Sequence, residues 1–119
     1  MIDAFDVENL AIDIYPDFSI STRNRKPGPP ERVAGMTFGY IDTDQNAPHN
    51  GEVHPDGDEL LVVIDGRVEV HFDSQPDGPC VLTAGMACIV PKGEWHKVMF
   101  LERSKFIHVT PGPNGDWRR

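Results

Sequence analysis

Glu52, His54, Glu59 and His96 are the residues of this chain whose types and spacing can hold a metal ion. Imidazole nitrogens combined with carboxylate oxygens suit iron, zinc, manganese or nickel. Glu52 and His54 stand two apart, so on an extended strand both side chains leave one face. Glu59 follows across the turn-forming run Pro55, Asp56, Gly57 and Asp58, and His96 sits just beyond Pro91 and Gly93. If that face points inward, Glu52, His54 and Glu59 converge, and a returning strand can bring His96 to them. Glu52 then has two open roles: a fourth ligand beside His54, Glu59 and His96, or a general base with a raised pKa. Without it, two histidines and one carboxylate remain, the composition of the facial triad in non-haem Fe(II) oxygenases.

Other polar residues read as supporting structure. Asp56 and Asp58 are short acidic side chains in a turn, where they cap backbone donors. His49 lies in the polar loop 42–51 and reads as solvated, while His71 and His108 fall on alternating stretches and read as surface or interface residues. Phe100 shares strand parity with His96, so it lines the same pocket and makes it more apolar.

Positioning the four residues requires strands. Residues 60–64, Leu-Leu-Val-Val-Ile, are apolar at every position, as in a strand buried on both faces. Val68, Val70 and Phe72 alternate with Arg67, Glu69 and His71, as in a half-exposed strand. Short strand signals recur over 80–82, 86–90, 96–101 and 105–109, separated by Gly, Pro and Asp turns. Residues 33–40 read as a strand. The run 23–31 holds three prolines and reads as a loop, since proline offers no ladder donor. Residues 2–10 place Phe5, Val7 and Leu10 at roughly helical spacing with Asp3 as a cap, which predicts a short N-terminal helix or arm. The organisation expected is an arm and loop over 1–31 and one all-β, closed or double-sheet barrel over 32–119.

The two turn-flanked histidine segments resemble the two motifs of the cupin superfamily. In the first, His54, four residues, Glu59, six residues and Gly66 keep the family spacing; in the second, Gly85, Pro91, Gly93 and His96 all fall in place. Three positions depart from the pattern. Glu52 stands where the first histidine of H-x-H belongs, Asn46 lies where the leading glycine would fall, and Phe100 replaces the closing asparagine. The resemblance implies a jelly-roll barrel, the double-stranded β-helix, with a divalent metal (Fe, Mn, Ni or Zn) on His54, Glu59 and His96. It further implies a metal-dependent enzyme on a small organic molecule, of oxygenase, lyase or isomerase type. The alternative is a non-catalytic barrel that binds a small ligand, with or without metal.

Bulk properties narrow the partners. A chain of 119 residues holds one domain with a core. Eleven Lys and Arg against 19 Asp and Glu give a net charge of −8, which repels phosphate backbones and anionic lipid, so neither nucleic acid nor membrane is an expected partner. No apolar run approaches a bilayer span, and Asp3, Asp6 and Glu8 do not suit a signal peptide, so a cytoplasmic location is expected. Cys80 and Cys88 form no disulfide framework and read as reduced thiols. Within 60–64 the parity of Glu59, Leu61 and Val63 fills a barrel, leaving Leu60, Val62 and Ile64 to face outward, where a second copy of the chain would cover them.

Overall fold

The computed structural model describes all 119 residues as eleven strands and no helix. With no helix present, none is long and apolar enough to cross a membrane. In chain order the strands are β1 (Leu10–Ile14), β2 (Ile20–Asn24), β3 (Gly35–Thr43), β4 (Glu52–Val53), β5 (Glu59–Asp65), β6 (Arg67–Phe72), β7 (Gln75–Thr83), β8 (Ala87–Val90), β9 (His96–Phe100), β10 (Ser104–Gly112) and β11 (Asp116–Trp117). They form two antiparallel sheets: six strands in the order β2-β1-β3-β10-β5-β8, and five in the order β11-β4-β9-β6-β7. Leu61 and Val63 of β5, Val90 of β8 and Phe106 of β10 face Val68 and Val70 of β6 and Leu82 of β7, and this cluster is the core between the sheets. The expected all-β jelly roll is therefore the fold.

Period-two alternation explains the central strands. Glu59, Leu61 and Val63 point inward and are buried, while Leu60 and Ile64 are exposed on the outer face. The apolar run 60–64 is thus covered on one face only within a single chain, not on both. Gly66 turns β5 into β6 with φ of 93°, a left-handed conformation that favours glycine, and a side chain there would strike Ser104.

The N-terminal segment differs from the helix predicted for residues 2–10. Ile2 and Phe5 are exposed with nothing to bury against, and a helix this short needs a packed face. Turn chemistry takes its place: Asp6 Oδ1 accepts the Glu8 N–H at 2.9 Å, and Leu10 N–H donates to Val7 O at 3.3 Å. The arm's two strands then pair onto β3 and extend the six-stranded sheet. One buried carboxylate ties the three together: Asp13 of β1 accepts from Arg23 of β2 at 2.7 Å and from Thr37 of β3 at 2.7 Å. Burial works to raise the Asp13 pKa, but these partners outweigh it and hold the carboxyl below its ordinary range.

Candidate metal centre

Two turns meet at one end of the barrel. His54 follows the short strand β4, and its carbonyl accepts the Gly93 N–H at 3.0 Å. Asp58 Oδ1 accepts the Lys92 N–H at 2.7 Å, so each motif's turn is pinned to the other's. Gly93 has a φ of 77°, which lets the chain reverse tightly between Pro91 and His96. Asp56 likewise caps a backbone donor of a distant segment and not of its own turn, accepting from the Asn114 N–H at 2.6 Å. Glu52 of β4 lies directly opposite His96 of β9 in the five-stranded sheet, and Glu59 opens β5 in the facing sheet.

The four residues singled out by spacing come together. One ligating atom from each of Glu52, His54, Glu59 and His96 lies within 4.8 Å of all the others. His96 Nε2 is 3.0 Å from Glu59 Oε1 and 3.4 Å from Glu52 Oε1; His54 Nε2 is 3.3 Å from Glu59 Oε2 and 3.6 Å from Glu52 Oε1. Ligands held about 2.1 Å from a common centre at tetrahedral or octahedral angles stand roughly 3.0–3.4 Å apart, so the nearest imidazole–carboxylate spacings are those of ligands around a divalent ion. His54, Glu59 and His96 are buried, whereas the Glu52 side chain is 28% exposed and faces the mouth.

Hydrogen bonds fix which atoms face the centre. His96 Nδ1 lies 3.0 Å from the Glu94 carbonyl, which can only accept, so Nδ1 carries the proton and Nε2 points at the carboxylates. Thr110 Oγ1 donates to Glu59 Oε2 at 2.6 Å, and its single proton is thereby spent. His108 Nδ1, 2.7 Å from the same hydroxyl, must therefore be the donor in that contact. His54 is different: neither of its buried ring nitrogens has a hydrogen-bond partner. A buried polar atom left unpaired costs about 1–3 kcal/mol, and a metal is one partner that removes the cost.

Without a metal the charges organise themselves. Burial disfavours the imidazolium forms, but the adjacent Glu52 and Glu59 outweigh it and raise His54 to about 9 and His96 to about 10. Burial likewise raises the two carboxyls, and the imidazoles outweigh it, holding Glu59 and Glu52 well below the usual range. The direction for Glu52 is opposite to the raised pKa of the general-base role.

Three further residues line the site that sequence reading placed elsewhere or passed over. The loop 42–51 folds inward, and His49 is not solvated alone: its Nδ1 accepts the Gly51 N–H at 3.1 Å while Nε2 lies 3.7 Å from Glu52 Oε2. His108 is not a surface residue. It pairs across the strands with Gly39, where any side chain would collide with its ring, and burial pushes its pKa down to about 4. A glycine inside a strand, here Gly39, is the kind of sequence signal that marks such a close approach. Arg32 lines both cavities that reach the cluster, one of about 690 Å³ at the mouth and one of about 340 Å³ inside the barrel. Phe100 lines the inner cavity as expected, edge-on to Phe106 at 5.8 Å. His71 is on the surface, 3.0 Å from Glu69.

Comparison with known proteins agrees with this architecture. A model of the cupin domain matches residues 42–110. A cupin-2 domain protein from Shewanella frigidimarina is 25% identical with a TM-score of 0.55, over 76% of this chain and 85% of that one. Hydroxypropylphosphonic acid epoxidase from S. wedmorenis has a TM-score of 0.53 at 18% identity, over 63% of this chain and 42% of that one, a likeness of fold. An uncharacterized protein of Acanthamoeba polyphaga mimivirus is 28% identical over 58 residues, which span 49% of this chain and 36% of that relative's length. The matched segment runs from the end of β3 into β10 and includes both pinned turns and all four clustered side chains, and on that evidence the chain belongs to the cupin superfamily.

Proposed function

We propose that this cupin holds one divalent transition-metal ion on His54, Glu59 and His96 with Glu52 as fourth ligand, and that it is a metal-dependent enzyme acting on a small organic molecule. The observation that carries the proposal is buried His54, whose Nε2 has no hydrogen-bond partner and lies 3.6 Å and 3.3 Å from the Glu52 and Glu59 carboxylates. A bound metal supplies Lewis acidity, and iron adds oxygen chemistry. The protein's own groups do the rest. Thr110 and the Glu94 carbonyl hold Glu59 and His96 in their orientations, and His49 stands beside the outer oxygen of Glu52 at the mouth. Elemental analysis of protein purified without a histidine tag tests the reading. Stoichiometric iron favours an oxygenase, and zinc or nickel a lyase or isomerase. The 3.0 Å hydrogen bond between His96 and Glu59 favours a second reading, a metal-free binding barrel, and absence of metal after reconstitution would establish it.

Glu52 gives this proposal its own check. Glu52→His restores the family's usual donor and should retain or tighten metal binding, whereas Glu52→Ala should weaken it about tenfold or more. Full metal content in Glu52→Ala with lost turnover would reassign it to proton transfer.

We further propose a homodimer. Leu60 and Ile64 of β5 are 38% and 48% exposed, and Ile89 of β8, directly opposite Leu60, is 65% exposed, so the outer face of this sheet edge is apolar. Burying such a surface contributes roughly 25 cal/mol per Å². Light scattering at micromolar concentration should give twice 13.3 kDa, and Leu60→Lys with Ile89→Glu should halve it. A wild-type monomer at that concentration sinks the dimer.

A further inference from the structure

Arg32 is the only Lys or Arg that lines either cavity, and its guanidinium has neither an ion pair nor a hydrogen bond. The contrast with its neighbours is informative. Arg23, Arg103 and Arg118 each sit on an aspartate, Asp13, Asp42 and Asp73 respectively, on more open parts of the surface. Arg32 is half-buried and charged, with burial lowering its pKa while Glu52 and Glu59 oppose the shift. Its five donors face the cavities with no protein acceptor in hydrogen-bond reach, which leaves them free for the acceptors of a ligand.

The chain builds this placement. Pro27, Gly28, Pro29 and Pro30 cannot pair as a strand, and the loop is pinned on both sides of the turn into β3. Arg23 donates to the Glu31 carbonyl at 2.6 Å, and the Arg32 Cβ occupies the space a side chain at Gly112 of β10 would need, 2.5 Å from that position. The residue is thereby anchored to the barrel wall and turned over the mouth. There the charges are simple. With a divalent ion bound, Glu52 and Glu59 neutralise the metal and burial holds His108 neutral, while Asp116, the other carboxylate lining the mouth, makes no ion pair with Arg32, so the guanidinium is left without a partner anion. Apolar walls lie beyond it, from Leu61, Val98, Phe100 and Phe106.

We propose that the site takes a small carboxylic acid, a hydroxy or oxo acid, whose carboxylate is gripped by the Arg32 guanidinium while its remaining oxygen and carbon body lie over the Glu52, His54, Glu59 and His96 cluster. This rests on the metal reading for the second half of the contact, but the grip on the acid group belongs to Arg32. A guanidinium fork matches a carboxylate with two parallel hydrogen bonds, which a neutral amide cannot accept equally well.

The test uses the full chain loaded with cobalt and titrated with lactate or with neutral lactamide, followed by the visible cobalt spectrum and by calorimetry. Lactate should bind the wild type about tenfold or more tightly than lactamide, the size expected for a charge-assisted pair. In Arg32→Met that ratio should fall to about one with cobalt stoichiometry and melting temperature unchanged, and Arg32→Lys, which keeps the charge but not the fork, should fall between. An equal ratio in wild type and Arg32→Met, or no preference in the wild type, overturns the assignment. Failure of the wild type to take up cobalt overturns the metal reading instead. The same lactate-to-lactamide ratio, measured by calorimetry on the metal-free chain and its Arg32→Met variant, then decides the acid grip alone.

Discussion

His96→Ala should leave the protein with less than a tenth of the wild-type metal content and abolish any metal-induced rise in melting temperature. His96 is fully buried, its Nδ1 is committed to the Glu94 carbonyl, and its Nε2 is the imidazole nitrogen nearest to both carboxylates. No other group can take its place, because His49 stands on the far side of Glu52 and His108 is turned toward Thr110. The size of the effect follows from linkage. A ligand at a hundred times its Kd stabilises the folded state by about 2.7 kcal/mol, which for a domain of this size is a rise of roughly 10 °C. His71→Ala, on an exposed histidine of β6, is the control and should keep both metal and shift. Wild-type metal content and an undiminished shift in His96→Ala would remove His96 from the centre. Should His96→Ala fail to fold, the mouth-facing Glu52→Ala still reports on the centre through weakened metal binding.

What was legible in the sequence followed the range of the interactions involved. His54 and Glu59 are joined by one short turn, and Pro91, Gly93 and His96 by another, so local spacing alone sets each half of the centre. Parity along β5 was equally local, and it correctly put Glu59, Leu61 and Val63 inside. Residues 2–10 were misread because Phe5, Val7 and Leu10 fit helical spacing by count, while the partners that decide the segment lie far along the chain: β1 takes β2 and β3, and Asp13 takes Arg23 and Thr37. The same holds for Arg32, His49 and His108, whose roles depend on loops and strands folded against them from elsewhere. Two departures from the family pattern even meet in space, since Asn46 Oδ1 accepts the Phe100 N–H at 2.7 Å and ties the inward-folded loop 42–51 to β9. Each looked like a loss when read alone along the chain.

Metal binding at pH 7 should release about two protons, and the apparent affinity should rise by up to a hundredfold per pH unit between pH 7 and 8. The reason lies in the metal-free centre, where Glu52 and Glu59 outweigh burial and hold His54 protonated to about 9 and His96 to about 10. Only a neutral imidazole has the lone pair a metal needs, so both protons must leave. Glu59 and Glu52 are already ionised throughout this range and contribute no proton. The stability of the metal-free chain runs the other way. Histidines whose pKa is higher folded than unfolded stabilise the fold fully below about 6.5, and that contribution is lost as pH rises through 9 to 10. Loaded and empty protein should therefore draw apart in melting temperature as pH rises from 6 to 9. Calorimetric titration in two buffers of different ionisation enthalpy counts the protons directly. His54→Gln should bring the count to about one, because a single titrating imidazole then remains beside Glu59. Release of less than one proton by the wild type at pH 7 would mean that the imidazoles are already neutral, and the ion-paired picture of the empty centre would be discarded.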